Sequence, residues 1–189
     1  MKVIPLHQEE KRLIALAVDH NRQAQQQIYA KFSSKMLSVC RQYINDLHHA
    51  EDVMITGFMK VFTHLKKFEH KGSFEGWIRR IMIYECIDYL RVKKNNFNHQ
   101  DIEDVRINDN ESVYEMEDFS VDDIQNMIDN LPNGYKMVFN LYAIEGYKHQ
   151  EIAEMLNISE GTSKSQLSHA RKLLQQQIID LKNKLNGTT

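Results

Sequence analysis

The sequence predicts an all-α fold: two small helical domains joined by an acidic linker. Three observations carry this reading. Glycine (7) and proline (2) are scarce among the 189 residues, while Gln, Lys, Leu and Met are common, a helix-forming composition. Apolar residues recur at three- and four-residue spacing, and strand-like alternation is sustained nowhere. Charge is uneven: residues 1–95 hold 16 Lys+Arg against 10 Asp+Glu, residues 96–130 hold 1 against 11, and residues 131–189 hold 7 against 5. The expected divisions are a first domain at 1–95, a linker at 96–119 and a second domain at 120–185. Charge asymmetry of this kind suits a polyanion partner for the flanking blocks, although solvated helix surfaces account for it as well.

Four helices are expected in the first block. A short one covers about 8–18. A long one covers about 21–46, with Ile28, Phe32, Met36, Val39, Tyr43 and Leu47 on one stripe. A third covers about 49–66, carrying Val53, Phe58, Val61, Phe62 and Leu65. A fourth, about 73–94, starts at Ser73 as N-cap and aligns Phe74, Trp77, Ile78, Ile81, Tyr84, Ile87 and Leu90. Phe74 and Trp77 are expected in the core. The intervening stretch from Phe68 to Ser73 reads as a loop through its Gly and Ser. Residues 95–118 bury no continuous face and read as linker. The last block predicts a helix at about 120–130, a break at Leu131-Pro132-Asn133-Gly134, helices at about 134–145, 148–156 and 160–184, and a frayed tail from Asn186.

Several function classes are excluded. No apolar run approaches the ~20 residues that span a bilayer, so membrane insertion is not expected. The N-terminus becomes charged, at Glu9 and Glu10, too early for a secretory leader. Cys40 and Cys86 alone cannot build a disulfide framework, which fits a reducing, cytoplasmic setting. CxxC, HExxH, GxGxxG and P-loop signatures are absent, and the nine histidines are scattered. No catalytic residue, metal, cofactor or small-molecule substrate is therefore expected.

The strongest local signal runs from His149 to Leu167. Ile152 and Leu156 lie one turn apart and face inward, and Ala153 is small where helices would cross. Asn157 falls at a turn that wants a left-handed residue. Ile158 plugs the core, and Ser159 can cap the next helix, with Thr162 an alternative. This is a helix-turn-helix pattern, whose second helix fits a major groove. Its expected exposed residues are Thr162, Lys164, Ser165, Gln166, Ser168, His169, Arg171 and Lys172, groups suited to phosphates and base edges. An ordinary helical hairpin is the plainer alternative. Ser163 stands where an apolar residue would seal the two helices.

Residues 74–94 combine Trp77, Tyr84 and Tyr89 with Arg79, Arg80, Arg91, Lys93 and Lys94. Cations attract phosphates, and rings can stack on bases or wedge an opened duplex. Arg79 and Arg80 point off the apolar stripe. Between Ala50 and Phe62, apolar residues occupy more than one helix face, which argues for extra internal packing or for a docking partner.

Together these stretches resemble the extracytoplasmic-function (ECF) RNA polymerase sigma factors. Ala50-Glu51-Asp52-Val53 with Phe58-Met59-Lys60-Val61-Phe62 resembles the family's polymerase-docking helix. The runs from Gly72 to Ile81 and from Ile87 to Arg91 resemble its promoter-melting helix. Leu131-Pro132, Val138-Phe139 and Glu145-Gly146-Tyr147 resemble the start of its C-terminal domain, and the run from Glu151 to Arg171 its recognition unit. The resemblance implies a region 2-like bundle and a region 4-like helix-turn-helix domain. It implies that Asp52, Val53, Ile55, Thr56, Phe58, Met59 and Phe62 dock on core RNA polymerase. It implies that His70, Lys71, Arg79, Arg80, Tyr84, Asp88 and Arg91 hold and melt the −10 element of promoter DNA, and that Thr162, Lys164, Ser165, Gln166, Ser168, His169 and Arg171 read the −35 element. The linker would thread through the polymerase, and an anti-sigma factor is a further partner the family suggests.

Four positions depart from the family pattern. Ile55 and Thr56 stand where Gln and an acidic residue are usual, Tyr84 stands where Asn is frequent, and Gln166 replaces a common Arg. Gln pairs with adenine where Arg favours guanine, so less dependence on guanine is expected at that contact. The alternatives are a one-component helix-turn-helix regulator and an adaptor that only binds polymerase.

Overall fold

The computed structural model describes residues 6–96, 119–185 and 187, and all regular structure among them is helical. Two compact units result, Met1–Asn96 and Phe97–Thr189. The expected linker beyond Asn96 and the tail, Gly187 apart, lie outside the described residues.

In the first unit α1 is Leu6–Val18, α2 Arg22–Tyr43, α3 Leu47–His64 and α4 Phe74–Asn96, with a 3₁₀ turn at Leu65–Lys67 after α3. Side-chain caps fix the starts. Asn21 accepts from the Ala24 N–H at 3.0 Å, Asp46 from His49 N–H at 2.9 Å and Ser73 from Gly76 N–H at 3.0 Å. The His49 N–H bond holds the Asp46 carboxyl below its usual pKa. One boundary differs from expectation. Ile44 takes an extended conformation and ends α2 at Tyr43. Asp46 then starts α3, so Leu47 belongs to the new helix and is 50% exposed instead of continuing the α2 stripe.

The core of this unit joins Ile28, Phe32, Met36 and Val39 of α2, Val53, Met54, Phe58 and Val61 of α3, and Phe74, Ile78, Met82, Ile83, Cys86 and Ile87 of α4. Because α4 packs on both α2 and α3, its buried surface is wider than a single stripe and takes in Met82, Ile83 and Cys86. The expected Ile81, Tyr84 and Leu90 sit half-buried at its margins. Trp77, expected in the core, is also only half-buried. It stacks near Phe74 (5.9 Å between centroids) and packs on Phe68 (5.5 Å), tying down the loop before α4. Gly57, buried on α3, faces Met82 across the α3–α4 crossing, where a Cβ would collide with the thioether. Cys40 and Cys86 are both buried free thiols, and contact with Cys40 together with burial pushes the Cys86 thiol far up.

In the second unit α5 is Val121–Asp129, α6 Asn133–Phe139, α7 His149–Leu156 and α8 Glu160–Leu185. A π turn at Asn140–Ile144 follows α6 where one continuous helix is expected to about 145. Helices α5, α6 and α7 all pack on α8. The core holds Leu131, Val138, Leu141, Ile152, Leu167 and Ala170. Lys136 is buried and pairs with Asp129 at 2.6 Å, with Gln125 also donating to that carboxylate. A buried cation needs such a partner to offset its lost hydration.

Candidate nucleic-acid interface

The turn between α7 and α8 is built residue by residue. The Lys148 N–H donates to Glu151 Oε2 at 2.8 Å and opens α7. Ile152 is wholly buried. Its inward partner on α7 is Met155, while Leu156, expected there, is half-buried. Asn157 adopts φ 54°, ψ 51°, a left-handed state that Asn tolerates better than most residues. The Ile158 N–H then returns to the Ala153 carbonyl at 3.1 Å, closing the helix end. Ser159 accepts from the Thr162 N–H at 2.9 Å and caps α8.

Ser163 resolves differently from a missing apolar seal. It is fully buried between α7 and α8, and its hydroxyl meets His149 Nδ1 at 2.9 Å. The seam is closed by a satisfied polar pair.

The side chains of α8 fall into two groups. Lys164, Ser165, Ser168 and Arg171 are exposed, as expected. Thr162, Gln166, His169 and Lys172, also expected to be exposed, are half-buried. The start of α6 covers part of that flank. Gln166 lies beside Gly134, whose absent Cβ would sit 3.3 Å from Nε2. His169 stacks on Tyr135 with centroids 5.4 Å apart. Lys164 pairs with Glu160 at 2.7 Å, which lowers the Glu160 pKa. Both partners are well exposed, so the pair is weak and open to exchange for a phosphate.

In the first unit, the loop before α4 exposes His70 and Lys71, with His70 in a left-handed conformation at φ 56°. Lys71 pairs with Glu69 at 2.7 Å. On α4, Arg80 is exposed and lies 5.8 Å from the centroid of the half-buried Tyr84 ring, while Arg79 is half-buried, against the expectation that both leave the apolar surface. Asp88 and Arg91 are exposed and paired at 3.2 Å. Along α3, Asp52 and Thr56 are exposed, with Ile55 48% and Met59 67% accessible one turn apart. Val53 and Phe58, expected on the docking surface, belong to the core instead, and Phe62 is half-buried. The outward apolar surface of α3 therefore centres on Ile55 and Met59. Sequence reasoning missed the rings of Tyr135, Tyr142 and His149, which pack on α8 side chains or on each other. Those contacts join positions far apart in sequence, so local periodicity carries no sign of them.

Comparison with known proteins agrees with both units. The Sigma-70 region 2 family model matches residues 28–96, and the Sigma-70 region 4 model matches residues 121–174. A helical first unit matching region 2, and a second unit matching region 4 and ending in a helix-turn-helix, thus define a sigma-70-type transcription initiation factor. Among its relatives are ECF RNA polymerase sigma factor SigW of Bacillus subtilis, 29% identical over 79% of this chain and 86% of that protein, and the ECF RNA polymerase sigma-E factor of Haemophilus influenzae, 25% identical over 82% and 87%. The chain belongs to the ECF sigma factors, which direct RNA polymerase to promoters. A solved structure of the sigma factor RpoE in complex with the anti-sigma factor NepR from Bartonella quintana shares the fold at TM-score 0.53, with 19% identity over 81% of this chain and 95% of that one. Among the described residues no helix is long and apolar enough to cross a membrane.

Proposed function

We propose that the two units divide promoter recognition between them. The unit within 1–95 docks on core polymerase through the exposed α3 surface of Asp52, Ile55, Thr56 and Met59, with Phe62 at its edge. Its loop and α4, through His70, Lys71, Arg79, Arg80, Tyr84, Asp88 and Arg91, hold the opened −10 element. Melting costs a few kcal/mol per unstacked step, and capture of bases at this surface offsets part of it. The unit within 120–185 reads the −35 element, with Lys164, Ser165, Ser168 and Arg171 reaching outward and Thr162, Gln166 and His169 at the flank. A Gln166 contact to a base requires its amide to leave Gly134. The acidic stretch at 96–119 threads through the polymerase. The protein works in the cytoplasm, without catalytic residues or cofactor, and an anti-sigma factor binds it, as NepR is in complex with the Bartonella RpoE.

The observation that carries this reading is the exposed polar and cationic face of α8 behind the Asn157 turn. The test is run-off transcription with core polymerase and this protein on genomic fragments. Promoter-specific transcripts that depend on the added chain are expected, and Lys164→Ala and Arg171→Ala are each expected to lower the salt slope of promoter binding by about one. A chain that yields no such transcript on any template overturns the reading. Tight binding to duplex without polymerase would favour the one-component regulator.

A further inference from the structure

Tyr142 lies in the π turn Asn140–Ile144, outside the helix-turn-helix itself. Its ring stacks on that of His149, with centroids 4.6 Å apart and planes 23° apart. The His149 ring is in turn fixed by its Nδ1 contact to the buried Ser163 hydroxyl on α8. Eight residues further along α8, which is about two turns, the Arg171 guanidinium lies 5.7 Å from the Tyr142 centroid. The two rings thus bridge one stretch of α8, anchored by a hydrogen bond at Ser163 and ending in a cation–π contact at Arg171.

We infer that Tyr142 is a positioning residue for the recognition helix: it holds the exposed Arg171 side chain in the pose in which it meets promoter DNA. The inference rests on the reading that α8 faces the −35 element. An unsupported arginine has many rotamers to lose when it binds. A ring face that attracts the guanidinium removes part of that loss beforehand. The π turn supplies the placement, because its extra residue per turn shifts side chains off the α-helical register. Tyr142 sits at the margin between exposed and half-buried, at 36%, so its ring is available to Arg171 while its other contact is with His149.

The test uses holoenzyme reconstituted from core polymerase and full-length protein, with binding to a promoter duplex and run-off yield as readouts. Tyr142→Leu is expected to weaken promoter binding about threefold, the size of one exposed cation–π contact. Tyr142→Phe keeps the ring face and should restore binding. In an Arg171→Ala background, Tyr142→Leu should bring no further loss, and the thermal midpoint of the free protein should stay within about 2 °C of the parent. A merely structural role predicts the opposite: an equal loss in both backgrounds, a lowered midpoint and no rescue by Phe. Any of these, or no loss at all with Tyr142→Leu, overturns the inference. An Arg171→Ala variant that binds promoter as well as the parent also overturns it, while the sigma-factor reading stands so long as promoter-specific transcripts still depend on the chain. Failure of that reading shows up instead as no dependent transcript with the unaltered protein.

Discussion

Ser163 carries a hydroxyl into a helix seam that excludes water, so its partner decides whether that position stabilises or destabilises the unit. His149 supplies the partner, at 2.9 Å, and the pair does by hydrogen bonding what an apolar pair does by contact. Ser163→Val alone leaves the His149 nitrogen facing a methyl group, and a loss of about 1–2 kcal/mol is expected. His149→Phe alone strands the Ser163 hydroxyl at similar cost. The double variant exchanges a polar seam for an apolar one and should recover much of the stability, because removing both partners of a buried hydrogen bond is far milder than removing one. Urea denaturation of the four proteins measures the coupling. Additive losses would show that Ser163 and His149 do not depend on each other. The sequence carried half of this account. Ser163 stands out as a polar residue at a sealing position, but the identity of its partner depends on how the start of α7 crosses α8.

Helix boundaries follow from capping chemistry, and α5 offers the clearest case. The Ser120 hydroxyl accepts from the Asp123 N–H at 3.1 Å, and the Asp123 carboxylate accepts from the Ser120 N–H at 3.1 Å and its hydroxyl at 2.6 Å. Those bonds from Ser120 lower the Asp123 pKa below its usual 3.8. A lowered folded-state value means that the cap stabilises the helix above the unfolded pKa, and that this contribution is lost as pH falls through the folded value. Asp123→Asn should therefore lower the thermal midpoint at neutral pH, and the gap to the parent should narrow as pH falls below 3.8 and on through the lower folded-state value. A gap that is constant with pH would remove the carboxylate from the account. Caps of this kind made much of the fold legible. Ser73, Asn157 and Ser159 mark their boundaries in the sequence, and each performs the expected role. The α2–α3 boundary was harder to read, because Ile44-Asn45-Asp46 contains neither Gly nor Pro and its one signal is the Asp46 cap. On α8, local periodicity finds Lys164, Ser165, Ser168 and Arg171. It misplaces Gln166 and His169 because Gly134 and Tyr135, some thirty residues earlier, cover them. The same limit applies to α3, where Val53 and Phe58 resemble a docking motif in sequence but serve the core.

At the scale of the whole molecule, charge separates what helix packing cannot. Each unit has its own core, yet the acid excess of the chain is concentrated in the sequence between α4 and α5: eight Asp and Glu lie from Asp101 to Asp118, against the single cation Arg106. A polymerase channel that accommodates nucleic acid presents positive potential, and a polyanionic segment of protein can occupy it. On the proposed reading, the stretch contributes binding energy to the holoenzyme as well as joining the units. Replacing those eight residues by Asn and Gln keeps length and approximate shape while removing the charge. Holoenzyme assembly and run-off yield should both fall at low salt, and the difference from the parent should narrow as ionic strength rises and the Debye length shrinks from about 10 Å at 0.1 M toward 3 Å at 1 M. The thermal midpoints of the two units should not move, since the substituted positions lie in the sequence between the end of α4 at Asn96 and the start of α5 at Val121. If the neutral chain assembles and transcribes like the parent at every salt concentration, the segment is a tether alone, and promoter recognition depends on the two helical units and the distance the linker allows between them.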